Sequence, residues 1–198
     1  MLPRHLRIYW LLYLYLAIVA VVISYLAYSQ HQAIREAAVH EAGHAVVAWY
    51  SGRYTVTHVT IDVFGGGATT YYSRPITTPA EAWSRCAVTA AGAESVRLLL
   101  GITPSGDEDD LNHEDGVAAI LLVDQAIGED IAPPWDAAWQ APVNATPQSF
   151  RAECAVGAHR ILAAHVGAIQ KIGAAVMDKR DLNHLDLTNL LGAPPLDP

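Results

Sequence analysis

Two histidines four residues apart, with a glutamate directly after the first, are the residues of this sequence best suited to chemistry. His40, Glu41 and His44 lie in "AAVHEAGHAVVAWY", residues 37–50. On a helix, positions i and i+4 share a face, so both imidazoles can point at one zinc ion with Zn–N distances of about 2.0–2.1 Å. Glu41 is turned away from that axis but can reach the attacking water as a general base. The spacing therefore predicts a zinc centre that hydrolyses a carbonyl compound.

The competing interpretation is an ordinary helix whose two half-buried histidines bind backbone groups or water. Gly43 argues against it, because a glycine inside a helix costs about 1 kcal/mol relative to alanine and suggests that another element packs closely there. The flanking residues are apolar, so zinc would satisfy both imidazoles in a hydrophobic setting.

The surrounding pattern predicts a mainly α-helical fold: an N-terminal transmembrane helix, then a helical zinc-peptidase domain with a small β-hairpin element. The predicted helix that carries His40 and His44 ends near Tyr50. The sequence "RYTVTHVTIDV" followed by "FGGGATTYY" then predicts a strand, a glycine turn and a second strand. Thr78 and Glu81 form a capping box for the next helix. Helices are predicted over about 79–100, about 105–127 and 147–179 with a break, and a short last helix is predicted from a cap at Asp181.

An uncharged apolar run over residues 8–28 is long enough, at 21 positions, to cross about 30 Å of hydrocarbon as a helix. A cleaved signal peptide is the alternative, but the run exceeds the usual apolar core of about 7–15 residues. A buried helix of a soluble protein is the other alternative, but no polar face interrupts the run, which favours a span. We therefore predict a membrane anchor over 1–30, a peptidase domain over 31–192 and a tail over 193–198.

The net charge bears on nucleic-acid binding, and the cysteine content bears on disulfide formation. The net charge of −8 gives no basic footprint for nucleic acid, so we expect no nucleic-acid partner. Cys86 and Cys154 could form one disulfide, but no spacing supports it, and buried small apolar side chains are the expectation.

Several segments together resemble the peptidase domain of the FtsH-type ATP-dependent zinc metalloproteases. "HEAGHA" with its apolar tail is the most specific, and the others follow in the same order along about residues 31–192. They are "THVTIDVFGGGATT", "CAVTAAGAESVRLLLG", "SGDEDDLNHEDGVAAIL" and "AHRILAAHVGAIQKIGAAVMDKRDLNHLDLTNLL". The resemblance implies Zn²⁺ as the cofactor and a peptide or unfolded protein as the substrate.

The resemblance also implies an aspartate as the third zinc ligand. Gly106 and Leu111 set the register, which assigns that role to Asp110, or to Asp109 if the register slips by one. Glu94 is a different alternative, because many HExxH proteases take a downstream glutamate as the third ligand.

Two departures from the FtsH pattern matter. No G-x-x-x-x-G-K-[ST] phosphate loop occurs, so the chain cannot by itself couple ATP to unfolding. Its substrates must then be unfolded or flexible, unless a separate ATPase partner unfolds them. A homo-oligomer is the other partner arrangement that the sequence leaves open. The family's paired glutamates are replaced by Val96 and Arg97.

An extended substrate could add to the edge of the predicted hairpin by β-augmentation, with Gly67, Tyr71 and Tyr72 as substrate-binding residues. The alternative is that both tyrosines simply pack across the strands.

The orientation of the predicted span has two opposing indications. Arg4 and Arg7 precede it and only Arg35 follows closely, so the positive-inside rule places the N-terminus in the cytoplasm and the domain outside. The FtsH resemblance implies a cytoplasmic domain instead.

The sequence thus predicts a membrane-anchored zinc metalloendopeptidase with Glu41 as the base and His40, His44 and Asp110 as ligands. The alternative is an inactive relative that binds peptides or partner proteins at the membrane. A zinc peptidase of another clan, with Glu94 as ligand, is the third hypothesis.

Overall fold

The computed structural model of the chain is mainly helical with one small antiparallel sheet, as the sequence predicts. It describes residues 4–73, 78–103, 132–133, 135–136 and 147–194. The predicted helix over about 105–127 lies outside these residues. The elements are α1 (Arg4–Tyr50), β1 (Tyr54–Ile61), β2 (Gly67–Ser73), α2 (Pro79–Leu100), α3 (Pro147–Ala164), α4 (Val166–Lys179), β3 (Asp181–Asn183) and α5 (His184–Leu191).

The apolar N-terminal run and the predicted helix that carries His40 and His44 form one continuous helix, α1, of 47 residues. Its side chains are exposed almost throughout 12–31, and from Ile34 onward most of them are buried. Within the described part of the chain, the segment Leu12–Tyr50 is the helix that is long and apolar enough to cross a membrane alone. At 1.5 Å per residue, His40 lies about 18 Å along the axis from Tyr28, the end of the apolar run.

The core lies where α1 packs against α2, α4 and the sheet, around side chains such as Trp49, Trp83 and Ile169, each at most 1% exposed. The predicted capping box of α2 is confirmed: the Thr78 hydroxyl accepts from the Glu81 amide, and the Glu81 carboxylate accepts from the Thr78 amide. This cap fixes where α2 begins, and therefore which of its residues face α1.

Among the described residues the sheet has the order β2-β1-β3, so the predicted hairpin gains a third strand and β2 is an edge strand of these three. The prediction that Asp181 caps the last helix is wrong. Asp181 lies in β3, where the buried Leu182 pairs with Val59, and Asn183 provides the cap by accepting from two amides of α5. Burial of Leu182 against the sheet outweighs the local signal at Asp181.

The predicted break between 147 and 179 is confirmed at His165, where α3 and α4 meet at 85°. The expectation of two unpaired cysteines is wrong. Cys86 of α2 and Cys154 of α3 form a disulfide with Cα atoms 5.4 Å apart. Their separation of 68 positions carries no signal, because packing of the two helices brings them together.

Candidate metal and peptidase site

The two histidines of the motif converge on one point. Nε2 of His40 and Nε2 of His44 lie 3.1 Å apart, with the rings edge to face and their centroids 4.8 Å apart. Two nitrogens bound to one tetrahedral zinc lie about 3.3 Å apart, given Zn–N distances of about 2.0–2.1 Å. The pair therefore fits two positions of a zinc site without rearrangement of α1.

A backbone carbonyl of α2 orients His44. Nδ1 of His44 lies 2.7 Å from the Val88 carbonyl oxygen. A carbonyl can only accept, so Nδ1 carries the proton and the neutral ring keeps the Nε2 lone pair for a ligand. Metal-binding histidines commonly donate their second ring nitrogen in this way, which fixes the ring and raises its basicity.

A glycine of α2, Gly92, packs directly against both imidazoles. A Cβ atom at this position would lie 2.4 Å from Nε2 of His40 and 2.5 Å from Nε2 of His44. Contacts this short are not tolerated, so a side chain at position 92 would push the two imidazoles out of the arrangement in which their Nε2 atoms converge. Sequence reasoning missed this residue, although the signal was the one noted for Gly43, a glycine inside a helix.

The close packing expected at Gly43 is confirmed. A Cβ atom there would lie 2.5 Å from the Ala91 carbonyl oxygen and 2.4 Å from Oγ of Ser95. The buried Ser95 hydroxyl also lies 2.8 Å from the Val39 carbonyl oxygen, across the same contact. Gly43 thus allows α2 to approach α1 closely enough to bring Gly92 over the histidines.

Strand β2 holds the carboxylate of Glu41, which is only 7% exposed. The Thr69 hydroxyl lies 2.8 Å from Glu41 Oε2 and 2.9 Å from the Glu41 carbonyl oxygen, so it donates to one of them at a time. Gly67 leaves room for the carboxylate, since a Cβ there would lie 2.6 Å from Glu41 Cγ. Thr69 carried no signal in the sequence because its role depends on how the sheet docks on α1.

Of the three residues considered as a third ligand, the structure describes only Glu94. Asp110, and its neighbour Asp109, lie outside the described residues. Glu94 does not join the histidines: its carboxylate binds His159 Nδ1 at 2.7 Å and the Arg97 guanidinium at 3.2 Å. Within the described parts of the chain, no three His, Cys, Asp or Glu side chains come together as a metal site.

The predicted substrate residues of β2 divide into two kinds. Tyr72 is 76% exposed. Tyr71 packs edge to face on Tyr54, with ring centroids 5.3 Å apart, and the Arg85 guanidinium lies over its ring at 4.9 Å. Burial raises the pKa of Tyr54 to about 12, so Tyr54 is neutral at physiological pH. Cross-strand packing therefore describes Tyr71 better than substrate contact.

One comparison with known proteins bears on this geometry. Residues 11–93 match a family model described as Peptidase M50B-like. The matched span runs from α1 through the hairpin and ends just after Gly92, so it contains His40, Glu41 and His44. A search of curated proteins found no match.

The match supports a membrane metallopeptidase, because this family, the site-2 protease family, comprises membrane zinc metallopeptidases. It is not specific to the FtsH-type proteases, which the sequence resembles in its motifs.

Proposed function

We propose that the chain is a membrane-anchored zinc metalloendopeptidase that hydrolyses peptide bonds in unfolded or flexible substrates. The convergence of the two Nε2 atoms at 3.1 Å, which Gly92 permits because it has no side chain, carries the proposal. The similarity of residues 11–93 to a membrane metallopeptidase family supports it independently.

The residues take distinct roles in the proposed reaction. His40 and His44 hold zinc, with Asp110 as the proposed third ligand. When bound, zinc supplies a Lewis acid that polarises the carbonyl and lowers the pKa of water towards about 7. Glu41 accepts the proton of the attacking water and returns it to the leaving amine. When the Thr69 hydroxyl donates to Oε2 of Glu41, rather than to the Glu41 carbonyl oxygen, it leaves Oε1 to take the proton.

The edge position of β2 supports a binding mode for the substrate. Glu41 contacts β2 at Gly67 and Thr69, so a peptide added along the edge of β2 that pairs with no described strand would run close to the base. Backbone hydrogen bonds would hold such a peptide with little dependence on its side chains. We therefore keep Gly67 and Tyr72 as substrate contacts and assign Tyr71 to packing.

Hydrolysis of a casein-type peptide by the purified full-length chain tests the proposal. Activity should disappear with a strong zinc chelator and return on addition of zinc, and ATP should leave the rate unchanged because the sequence has no phosphate loop. A rate that survives complete removal of metal would contradict the proposal. A rate that rises with nucleotide would point to an ATPase partner in the preparation.

The disulfide and the flanking arginines support an extracytoplasmic domain. Disulfides persist in oxidising compartments and are rare in the cytosol, and Cys86 is joined to Cys154. Arg4 and Arg7 before the span favour a cytoplasmic N-terminus by the positive-inside rule. We therefore propose a single-pass protein whose residues 31–198 lie outside.

Protease added to intact cells that express the chain should digest this domain and spare a cytoplasmic marker. Mass analysis under non-reducing conditions should show the linked cysteines in the same sample. A domain that resists protease until the membrane is permeabilised would favour the cytoplasmic orientation of the FtsH-type proteases.

A further inference from the structure

The loop between β1 and β2, residues 62–66, has a fixed shape of its own. The Asp62 carboxylate accepts from the Phe64 amide at 2.7 Å and from the Gly66 amide at 2.8 Å, and the Asp62 amide donates to the Gly66 carbonyl oxygen at 2.8 Å. These three bonds hold the turn in one conformation through its backbone and the Asp62 carboxylate. The side chains at its tip are therefore not needed to hold it together.

The same loop is tied to α1 at the point where the helix leaves the domain. Nε2 of Gln30 donates to the Val63 carbonyl oxygen at 2.8 Å. Gly65 lies against Ala33, where an added Cβ would come within 2.9 Å of the alanine side chain. Gln30 is two positions beyond Tyr28, the end of the apolar run, which is about 3 Å along the helix axis.

The tip of this loop is apolar and open. Phe64 is 83% exposed and Val63 is 50% exposed. Single exposed apolar side chains are ordinary on protein surfaces. These two are adjacent, lie on a rigid turn and are held beside the end of a helix that is suited to cross a membrane.

We propose that Val63 and Phe64 enter the interface of the bilayer that α1 crosses, and so give the domain a second membrane contact. The loop is bound to α1 at Gln30, close to the exposed apolar run that ends at Tyr28, so a bilayer around that run would reach the loop. This inference rests on α1 being a membrane span and is independent of whether the site hydrolyses peptides.

The contact is apolar rather than electrostatic. Hydrogen bonds from the backbone amides of Gly66 and Phe64 hold the pKa of the Asp62 carboxyl below its usual range, so a negative charge flanks the tip. The chain as a whole carries a net charge of −8. Neutral lipids should therefore be sufficient, and anionic lipids should not strengthen the contact.

Two attachment points have a consequence for the proposed substrate. A helix alone would let the domain rotate about the α1 axis, whereas a loop in the interface fixes that rotation. Strand β2 begins at Gly67, directly after the loop, so the outer edge of the described sheet starts near the membrane surface. This placement favours substrate segments that emerge from the same bilayer.

A fluorescent label at position 64 tests the contact in the full-length chain. The sequence contains two cysteines, and both are in the disulfide, so a cysteine introduced by Phe64→Cys is the only free thiol. Tyr72→Cys is the matched control, because Tyr72 is 76% exposed and lies near the other end of the hairpin. Each variant is labelled with an environment-sensitive dye and reconstituted in phosphatidylcholine vesicles with or without nitroxide-bearing lipids.

We expect blue-shifted emission and strong quenching by the nitroxide lipids at position 64, and water-like emission with weak quenching at position 72. Equal, weak quenching at both positions would overturn the proposal. Blue-shifted emission at position 64 without lipid quenching, increasing with the protein-to-lipid ratio, would assign this surface to a second copy of the chain and would also overturn it.

Discussion

Replacement of Glu41 by glutamine should lower peptide hydrolysis by about 10²–10⁴-fold, the usual contribution of a general base, while zinc content and fold stay unchanged. Glutamine keeps the shape of the side chain and can still accept from Thr69, whose hydroxyl lies 2.8 Å from Glu41 Oε2, but it cannot take a proton. The carboxylate is not a proposed metal ligand, so binding of the metal should not depend on it. Hydrolysis of a labelled peptide and metal analysis of the same preparation measure both effects.

Glu36→Gln is the matched control for this prediction, because Glu36 lies on the same helix and is only partly buried. It should hydrolyse at the wild-type rate. A Glu41→Gln chain that loses its zinc, or that cleaves as fast as the control, would show that Glu41 has another role.

Replacement of Gly92 by alanine should weaken zinc binding by about 100-fold, the upper end of the effects seen when residues around metal ligands are changed. The added methyl would lie 2.4 and 2.5 Å from the two Nε2 atoms and would push the imidazoles out of the arrangement in which both can bind one ion. Zinc affinity measured by competition with a chromophoric chelator gives the loss directly. Hydrolysis at low zinc should fall in parallel.

Gly167→Ala is the control for Gly92→Ala. Gly167 also lies in a helix, and an added Cβ there has no neighbour within 4 Å. This variant should keep wild-type zinc affinity. Thermal unfolding of both variants without metal separates a local clash at the site from a general loss of folding. Full zinc affinity in a folded Gly92→Ala chain would contradict the claim that zinc binding requires the two imidazoles as Gly92 allows them to lie.

Short sequence patterns correctly predicted those features that depend on residues close together in the chain. The spacing of His40 and His44 predicted their shared face, the capping box at Thr78 predicted the start of α2, and Gly43 predicted a close helix contact. Each of these depends on residues within a few positions of one another, or on the intrinsic cost of a glycine in a helix.

The features that sequence reasoning missed depend on contacts between distant parts of the chain. Cys86 and Cys154 meet because α2 packs on α3, and Asp181–Asn183 is a strand because Leu182 docks on β1. Gly92 and Thr69 acquire their roles only when α2 and β2 close around α1. No spacing along the chain encodes such contacts, so the structure was needed to identify these residues.

Zinc stoichiometry of the full-length chain, with and without His44→Ala, tests the central claim most directly. After dialysis against a weak chelator, the wild-type chain should retain about one zinc ion, as expected for a single mononuclear site. The His44→Ala chain should lose it, since it lacks the Nε2 atom that lies 3.1 Å from Nε2 of His40. Replacement of the exposed His58 by alanine provides the control and should keep the metal. Equal zinc content in wild type and His44→Ala, or none in the wild-type chain, would contradict the account.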